Sequence, residues 1–271
     1  MHPADPTPAD HPLLRFAGLR KSFGTLRVLE GLDLDIYKGQ TTVVLGPSGS
    51  GKSVLLKHAV GLLEPDAGRV EFDGQRVDTL KEHEWWPVRR RIGFLFQMAA
   101  LFDSMTVREN LDFPLRELTD MTRRERLEAV AVALHRVDLH DVDKKYPAQL
   151  SGGQRKRVGL ARAIILEPEL VLYDEPTTGL DPLRAAGIDA LINKLKDELG
   201  VTSLVVTHDL VSAHRVADRA VLLWDGVVRA DGTLDELRSS EDPIVSGFMT
   251  ANEGKATTLK ALDAAEGTGA R

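Results

Sequence analysis

Short apolar runs alternate with amphipathic stretches along most of the chain, and turn residues punctuate them. From Leu13 to Ile36, runs such as Leu14-Arg15-Phe16 and Leu32-Asp33-Leu34-Asp35-Ile36 have the period of two that marks half-buried strands. Thr41-Thr42-Val43-Val44-Leu45 is β-branched and apolar throughout, which predicts a buried strand. Val54 to Val60 lacks breakers and predicts a helix that stops at Gly61. Gly68 to Gly74 reads as a strand closing in an Asp-Gly turn, and Arg91 to Phe96 as another strand. Trp85 and Trp86 lie between these in a charged segment, as packing residues or helix-end anchors. The stretch 98–107 is irregular and rich in Met, Leu and Phe, so it is either buried or covered by a partner.

A capping box, Thr122-x-x-Glu125, opens a helix whose stripe is Leu127, Val130, Leu134 and Val137, and a second helix begins near Ser151. Leu170 to Tyr173 predicts a buried strand. Ile188, Leu191, Ile192, Leu195 and Leu199 mark an amphipathic helix ending at Gly200. Thr202 to Thr207 is the next strand, and 220–229 reads as a hairpin around Asp225-Gly226. From about Glu241 the apolar periodicity is lost. The expected organisation is a disordered leader (1–12), an α/β part (13–97), a helical insert (98–165), a second α/β part (166–240) and a partly disordered C-terminal extension (241–271).

Composition narrows the classes. Formal charge is −6, from 41 acidic and 35 basic residues, so a general attraction to nucleic acid is not indicated. The absence of cysteine excludes disulfides and thiolate metal sites. No apolar stretch approaches the ~20 residues of a membrane span, so a membrane role would have to run through a partner.

The chemistry starts at Gly46, Pro47, Ser48, Gly49, Ser50, Gly51, Lys52 and Ser53, which fit the phosphate-binding pattern G-x-x-x-x-G-K-[ST], with Val54 continuing into the helix. Glycines let the backbone fold around an anion, and the helix that follows aims its positive end at the same place. A strand before the loop and a helix after it favour this reading over a chance Gly/Ser turn. Lys52 would reach the β- and γ-phosphates and the Ser53 hydroxyl would ligate Mg²⁺. Other polar groups stand at expected strand ends, where ligands gather in open α/β sheets: Gln97, the pair Asp174 and Glu175, and His208. Asp174 is placed to hold Mg²⁺ and Glu175 to take a proton from an attacking water. Gln97 has an amide oxygen for the metal or the water, and His208 can bond a γ-phosphate, but each is equally readable as a plain polar terminus. Phe23, ahead of the loop, either stacks on a base or packs under a glycine turn. Ser151, Gly152, Gly153 and Gln154 at a helix start offer a second anion site, or an ordinary serine cap.

In this order these segments resemble an ABC-type ATPase over about residues 13 to 240, and Leu150-Ser151-Gly152-Gly153-Gln154 is the most specific element. The resemblance implies a P-loop fold with a RecA-like core, an antiparallel β-subdomain and a helical subdomain. It places Phe23 at the adenine-stacking aromatic, Gln97 in the Q-loop, Asp181 in the D-loop and His208 in the H-loop. It also implies ATP and Mg²⁺ as cofactors, and a second copy paired head to tail, so that Ser151, Gly152 and Gly153 of one chain close over the ATP of the other.

Two stretches look like the ATPases of Mla/Mce-type lipid transporters: Ser53 through Gly68, and Ala100 through Asn110 with Pro114-Leu115-Arg116. That likeness implies an integral-membrane permease of the MlaE type contacting the groove beside Gln97, an MCE-domain lipid-binding protein indirectly, and phospholipid as cargo. It leaves room for a small cytoplasmic regulatory subunit, and it places the chain at the cytoplasmic face of the inner membrane. Asp242-Pro243 with Phe248-Met249 fits the start of a C-terminal extension that embraces a neighbouring subunit. The rivals are an ATPase for amino acids or another small solute, and an FtsE-like cell-division ATPase. Long heptad segments of the SMC type and the paired cassettes of ABC-F factors are both missing.

Overall fold

A computed structural model describes residues 11–251. It contains two sheets. Four antiparallel strands, β1 (Leu14–Phe23), β2 (Leu26–Ile36), β4 (Ala67–Phe72) and β5 (Gln75–Arg76), pair in the order β2-β1-β4-β5. The larger sheet runs β10 (Val227–Gly232), β9 (Arg219–Trp224), β3 (Thr41–Leu45), β8 (Thr202–Thr207), β7 (Leu170–Asp174), β6 (Ile92–Leu95). It is parallel except for β10, which returns from β9 as the expected hairpin.

The apolar runs of this sheet are explained by burial on both faces. Alternate residues of each strand go to different cores. Val43, Leu45, Val171, Tyr173 and Val205 join one cluster with helical residues between 107 and 216, while Val44, Leu170, Leu172, Leu204 and Val206 join another with Leu55, Leu56 and Ala59 and the small sheet. The helices are α1 (Lys52–Ala59), α2 (Trp86–Arg90), α3 (Val107–Leu118), α4 (Arg123–Arg136), α5 (Gly152–Ile164), α6 (Pro182–Leu199), α7 (Leu210–Val216), α8 (Leu234–Arg238) and α9 (Pro243–Ala251). Among the described residues none is long and apolar enough to cross a membrane.

Several elements depart from the sequence expectation. α3 lies inside the expected helical insert, where the sequence names no separate helix, and it carries Pro114 within it. Leu127 is not part of the α4 core stripe; Val130, Ala133 and Leu134 are buried while Leu127 is exposed. Trp85 packs in the core beneath Arg89, but Trp86 is exposed. Beyond 241 the chain forms α9, with Val245 and Met249 one turn apart and buried against the same chain. A helix of nine residues has too few turns to display a period. Residues 1–10 of the expected leader and 252–271 of the extension lie outside the described residues.

α5 lies close to β6. A Cβ on Gly93 would come 2.2 Å from the Ala163 carbonyl oxygen, a backbone atom that cannot swing aside. Gly93→Ala should therefore cost roughly 1–3 kcal/mol by forcing the helix outward. At about 2–4 °C per kcal/mol for a chain of this size, a thermal melt will read the loss; an unchanged Tm would mean the helix has slack.

Candidate functional site

Four neighbouring parallel strands, β3, β8, β7 and β6, deliver their carboxyl ends to one edge of the large sheet. The phosphate loop leaves β3, His208 follows β8, Asp174 ends β7 with Glu175 next, and Gln97 lies two residues past β6. Phe23, Ser48, Gly49, Gly51, Lys52, Ser53, Val54, Gln97, Glu175 and His208 line a cleft of about 460 Å³, with Leu26 and Val28 beside Phe23.

The loop geometry requires its glycines. Gly49 and Gly51 have φ of +86° and +101°, and a Cβ on Gly46 would stand 2.4 Å from the Leu223 carbonyl. Gly51 also serves as the N-cap of α1, so the amino end of that helix opens toward the loop. Lys52 is only 6% exposed. Its ammonium donates to the carbonyls of Gly46 (2.7 Å) and Pro47 (3.0 Å) and lies 3.8 Å from Glu175 Oε1. Burial pushes its pKa down, against the opposing pull of Glu175 and Asp174.

The carboxylates are separated by task. Asp174 Oδ1 accepts from the Ser53 hydroxyl at 2.8 Å, and burial raises its pKa while that hydrogen bond lowers it. Two hard oxygen donors in contact, one on each side of the loop, match the preference of Mg²⁺ for oxygen ligands. Glu175 has φ of +47°, a left-handed backbone that a non-glycine residue adopts only when its surroundings hold it there. Its N–H donates to the Val206 carbonyl at 3.0 Å. The carboxylate accepts from Thr178 (3.1 Å) and Thr207 (3.3 Å), and the His208 Nδ1 is 3.0 Å from both of its oxygens. Phe23 is 46% exposed, a ring face available in the cleft.

The second anion element lies apart from this cleft. Ser151 caps α5, accepting from the Gln154 N–H (3.3 Å) while its own N–H donates to Gln154 Oε1 (3.0 Å). Asp181 caps α6 through the Arg184 N–H at 3.0 Å. The two caps are neighbours, since Cβ atoms built on Gly152 and Gly153 would meet Leu180 and Arg184. None of Ser151, Gly152, Gly153, Gln154 or Asp181 lines the cleft formed by the phosphate loop of the same chain.

The structure adds residues that the sequence did not single out. Thr178 and Thr207 hold Glu175, and Lys156 of α5 is buried against the backbone behind the site, where desolvation pushes its pKa down to about 8. Lys156 stands in an Arg-Lys-Arg run that reads as a solvated face, so no local signal marks it. A separate apolar groove of about 360 Å³ runs beside Gln97, lined by Phe94, Phe96, Phe102, Phe113 and Pro114 among others. Buried Asn110 shapes its rim, bonding Phe102 N and the carbonyls of Phe102, Met105 and Thr106.

Comparison with known proteins adds relatives to this geometry. The sequence model of the family described as "ABC transporter" matches residues 29–178. The chain is 42% identical over 232 residues to a probable ribonucleotide transport ATP-binding protein, mkl, of Mycobacterium leprae, covering 86% of this chain and 67% of that one. It is 39% identical over 237 residues to the intermembrane phospholipid transport system ATP-binding protein MlaF of Haemophilus influenzae, covering 88% and 90%. It is 38% identical over 245 residues to the methionine import ATP-binding protein MetN of Brucella abortus, covering 90% and 66%, so it spans about two thirds of the mkl and MetN relatives. Among solved structures, the dimeric ATP-binding cassette MJ0796 in a post-hydrolysis state with ADP and Pi superposes with a TM-score of 0.76 at 34% identity, covering 82% of this chain and 98% of that one.

Proposed function

The chain belongs to the ABC transporter family as an ATP-binding and ATP-hydrolysing subunit, and we propose that it drives phospholipid transport through an MlaE-like membrane permease. The observation that carries the enzymatic part is the convergence of Lys52, Ser53, Glu175 and His208 on one cleft, with Asp174 bonded to Ser53.

In this reading the adenine rests on Phe23 with Leu26 and Val28, and the phosphates lie in the loop, against its N–H groups and the amino end of α1. Lys52 sits between loop and carboxylate, in reach of the β- and γ-phosphates. Ser53 and Asp174 would hold Mg²⁺, which supplies charge neutralisation on the phosphate oxygens when bound. Glu175 takes a proton from the attacking water. Thr178, Thr207 and His208 hold its carboxylate in one orientation, and desolvation around it strengthens that hold. Gln97, at the cleft and beside the apolar groove, is placed to sense both.

Ser151, Gly152, Gly153 and Gln154 need a second polyphosphate, since they lie outside their own chain's cleft. A head-to-tail pair gives them one, with Asp181 at the same seam, and the related MJ0796 cassette is itself dimeric. The groove beside Gln97 suits an amphipathic helix of a permease. The phospholipid cargo rests on the likeness of residues 53–68 and 100–110 to Mla/Mce-type ATPases and on the MlaF relative. An MCE-domain protein and a small cytoplasmic subunit would complete the assembly at the inner membrane. The second reading, an importer ATPase for a small solute, draws on the MetN relative.

Native co-purification from the source membranes tests the cargo. An MlaE-like permease with an MCE protein and bound phospholipid is expected; a solute permease or division proteins would overturn it. Glu175→Gln should retain ATP binding and lose turnover by roughly 10²–10⁴, the scale of a positioned base. Normal hydrolysis by that variant would move the base elsewhere. Lys52→Ala removes a charge-assisted donor worth about 1.5–3 kcal/mol, so ATP affinity should fall about tenfold to a hundredfold in an equilibrium titration. Unchanged affinity would contradict its role.

A further inference from the structure

Helix α5, which Ser151 caps and Gly152-Gly153-Gln154 open, carries a second functional face. Lys156, Gly159 and Arg162 recur every three residues, and all three meet the segment 97–100 that leaves β6. Lys156 Nζ donates to the Gln97 carbonyl at 2.5 Å and to the Glu175 carbonyl at 3.1 Å. Gly159 admits the same segment closely: a Cβ there would lie 2.9 Å from both Ala99 Cβ and Leu95 Cδ1. The Arg162 guanidinium donates to the carbonyls of Ala99 and Ala100, each at 2.8 Å. The backbone so gripped is strained. Ala99 and Ala100 have φ of +61° and +46°, a region that disfavours any side chain with a Cβ and persists only where the surroundings enforce it.

We propose that Lys156 is a positioning residue for ATP hydrolysis, locking α5 to the backbones of Gln97 and Glu175 so that both strand-end groups move with that helix. The two carbonyls belong to residues that follow different strands, β6 and β7, and the ammonium is the one group on α5 that bonds both. It is 6% exposed and does not line the cleft, so it acts on the site from behind. Replacing it with an apolar side chain leaves two carbonyls short of a donor at the turns that aim Gln97 and Glu175, with the phosphate loop itself untouched. The same segment continues into the apolar groove, where Ala100 and Phe102 contribute to the lining. A partner seated there would press on the backbone that Lys156 and Arg162 hold. The inference rests on Glu175 being the base, and is independent of the cargo.

The full chain should be compared as wild type, Lys156→Met and Lys156→Gln, with Glu175→Gln alongside. Steady-state ATPase, ATP binding and thermal melts are the readouts. Methionine keeps the length and loses the donors; glutamine restores an N–H₂ group. The Met variant should lose kcat about tenfold to a hundredfold, the scale of a small misplacement of reacting groups, with KM nearly unchanged and Tm lowered by the two unpaired carbonyls. The Gln variant should recover most of that loss. Gly159→Ala, which keeps Lys156 but displaces Ala99, should likewise lower kcat more than it raises KM. Wild-type kcat in Lys156→Met would overturn the proposal. So would a kcat in the Met and Gln variants that simply tracks Tm, with no recovery by glutamine beyond its recovery of Tm, which would make the lysine purely structural. Normal hydrolysis by Glu175→Gln would instead remove the base assignment beneath it, so the two failures are separable.

Discussion

Two ammonium groups and two carboxylates share a small, largely dry volume at the edge of the large sheet: Lys52 and Lys156, Asp174 and Glu175. Charges so desolvated are costly unless each has a partner, and breaking such a set leaves an uncompensated charge behind. The fold answers this with backbone and hydroxyl groups. Lys52 is held by loop carbonyls, Lys156 by the carbonyls of Gln97 and Glu175, Asp174 by Ser53, and Glu175 by two threonines and His208. The phosphate loop, the ends of β6, β7 and β8, and α5 are all tied into this cluster, so its geometry depends on them together.

Strand order makes the cluster possible. Parallel strands β3, β8, β7 and β6 stand side by side, so groups far apart in sequence arrive at one edge. Helix ends then supply the positive dipoles: α1 toward this chain's cleft, and α5 away from it. A site divided in this way between two faces of one chain is the physical reason for proposing the head-to-tail pair. Pairing would place both helix ends on one polyphosphate, while α5 carries its own state back to Gln97 and Glu175 through Lys156.

Much of this was legible in the sequence because it is written in local patterns. The strand Thr41–Leu45, the glycine loop after it and the strand Thr202–Thr207 follow directly from β-branched runs and breakers. Along the chain the strand-end groups stand far apart, and the cleft gathers Gln97, Glu175 and His208 from three strands. What stayed hidden needed tertiary information. Lys156 is surrounded by arginines in sequence and becomes notable only by burial; Thr178 and Thr207 read as ordinary polar residues until they meet Glu175. Leu127 shows that a stripe three or four residues apart can still end at the surface.

In the proposed pair one chain holds only part of each hydrolytic site, and the ATPase rate measured across a wide range of protein concentration tests this. If two copies complete the site, activity per chain will fall steeply on dilution and level off once pairs are saturated. Activity per chain that stays constant at every dilution would mean that a single chain hydrolyses ATP alone, and the divided site would be wrong.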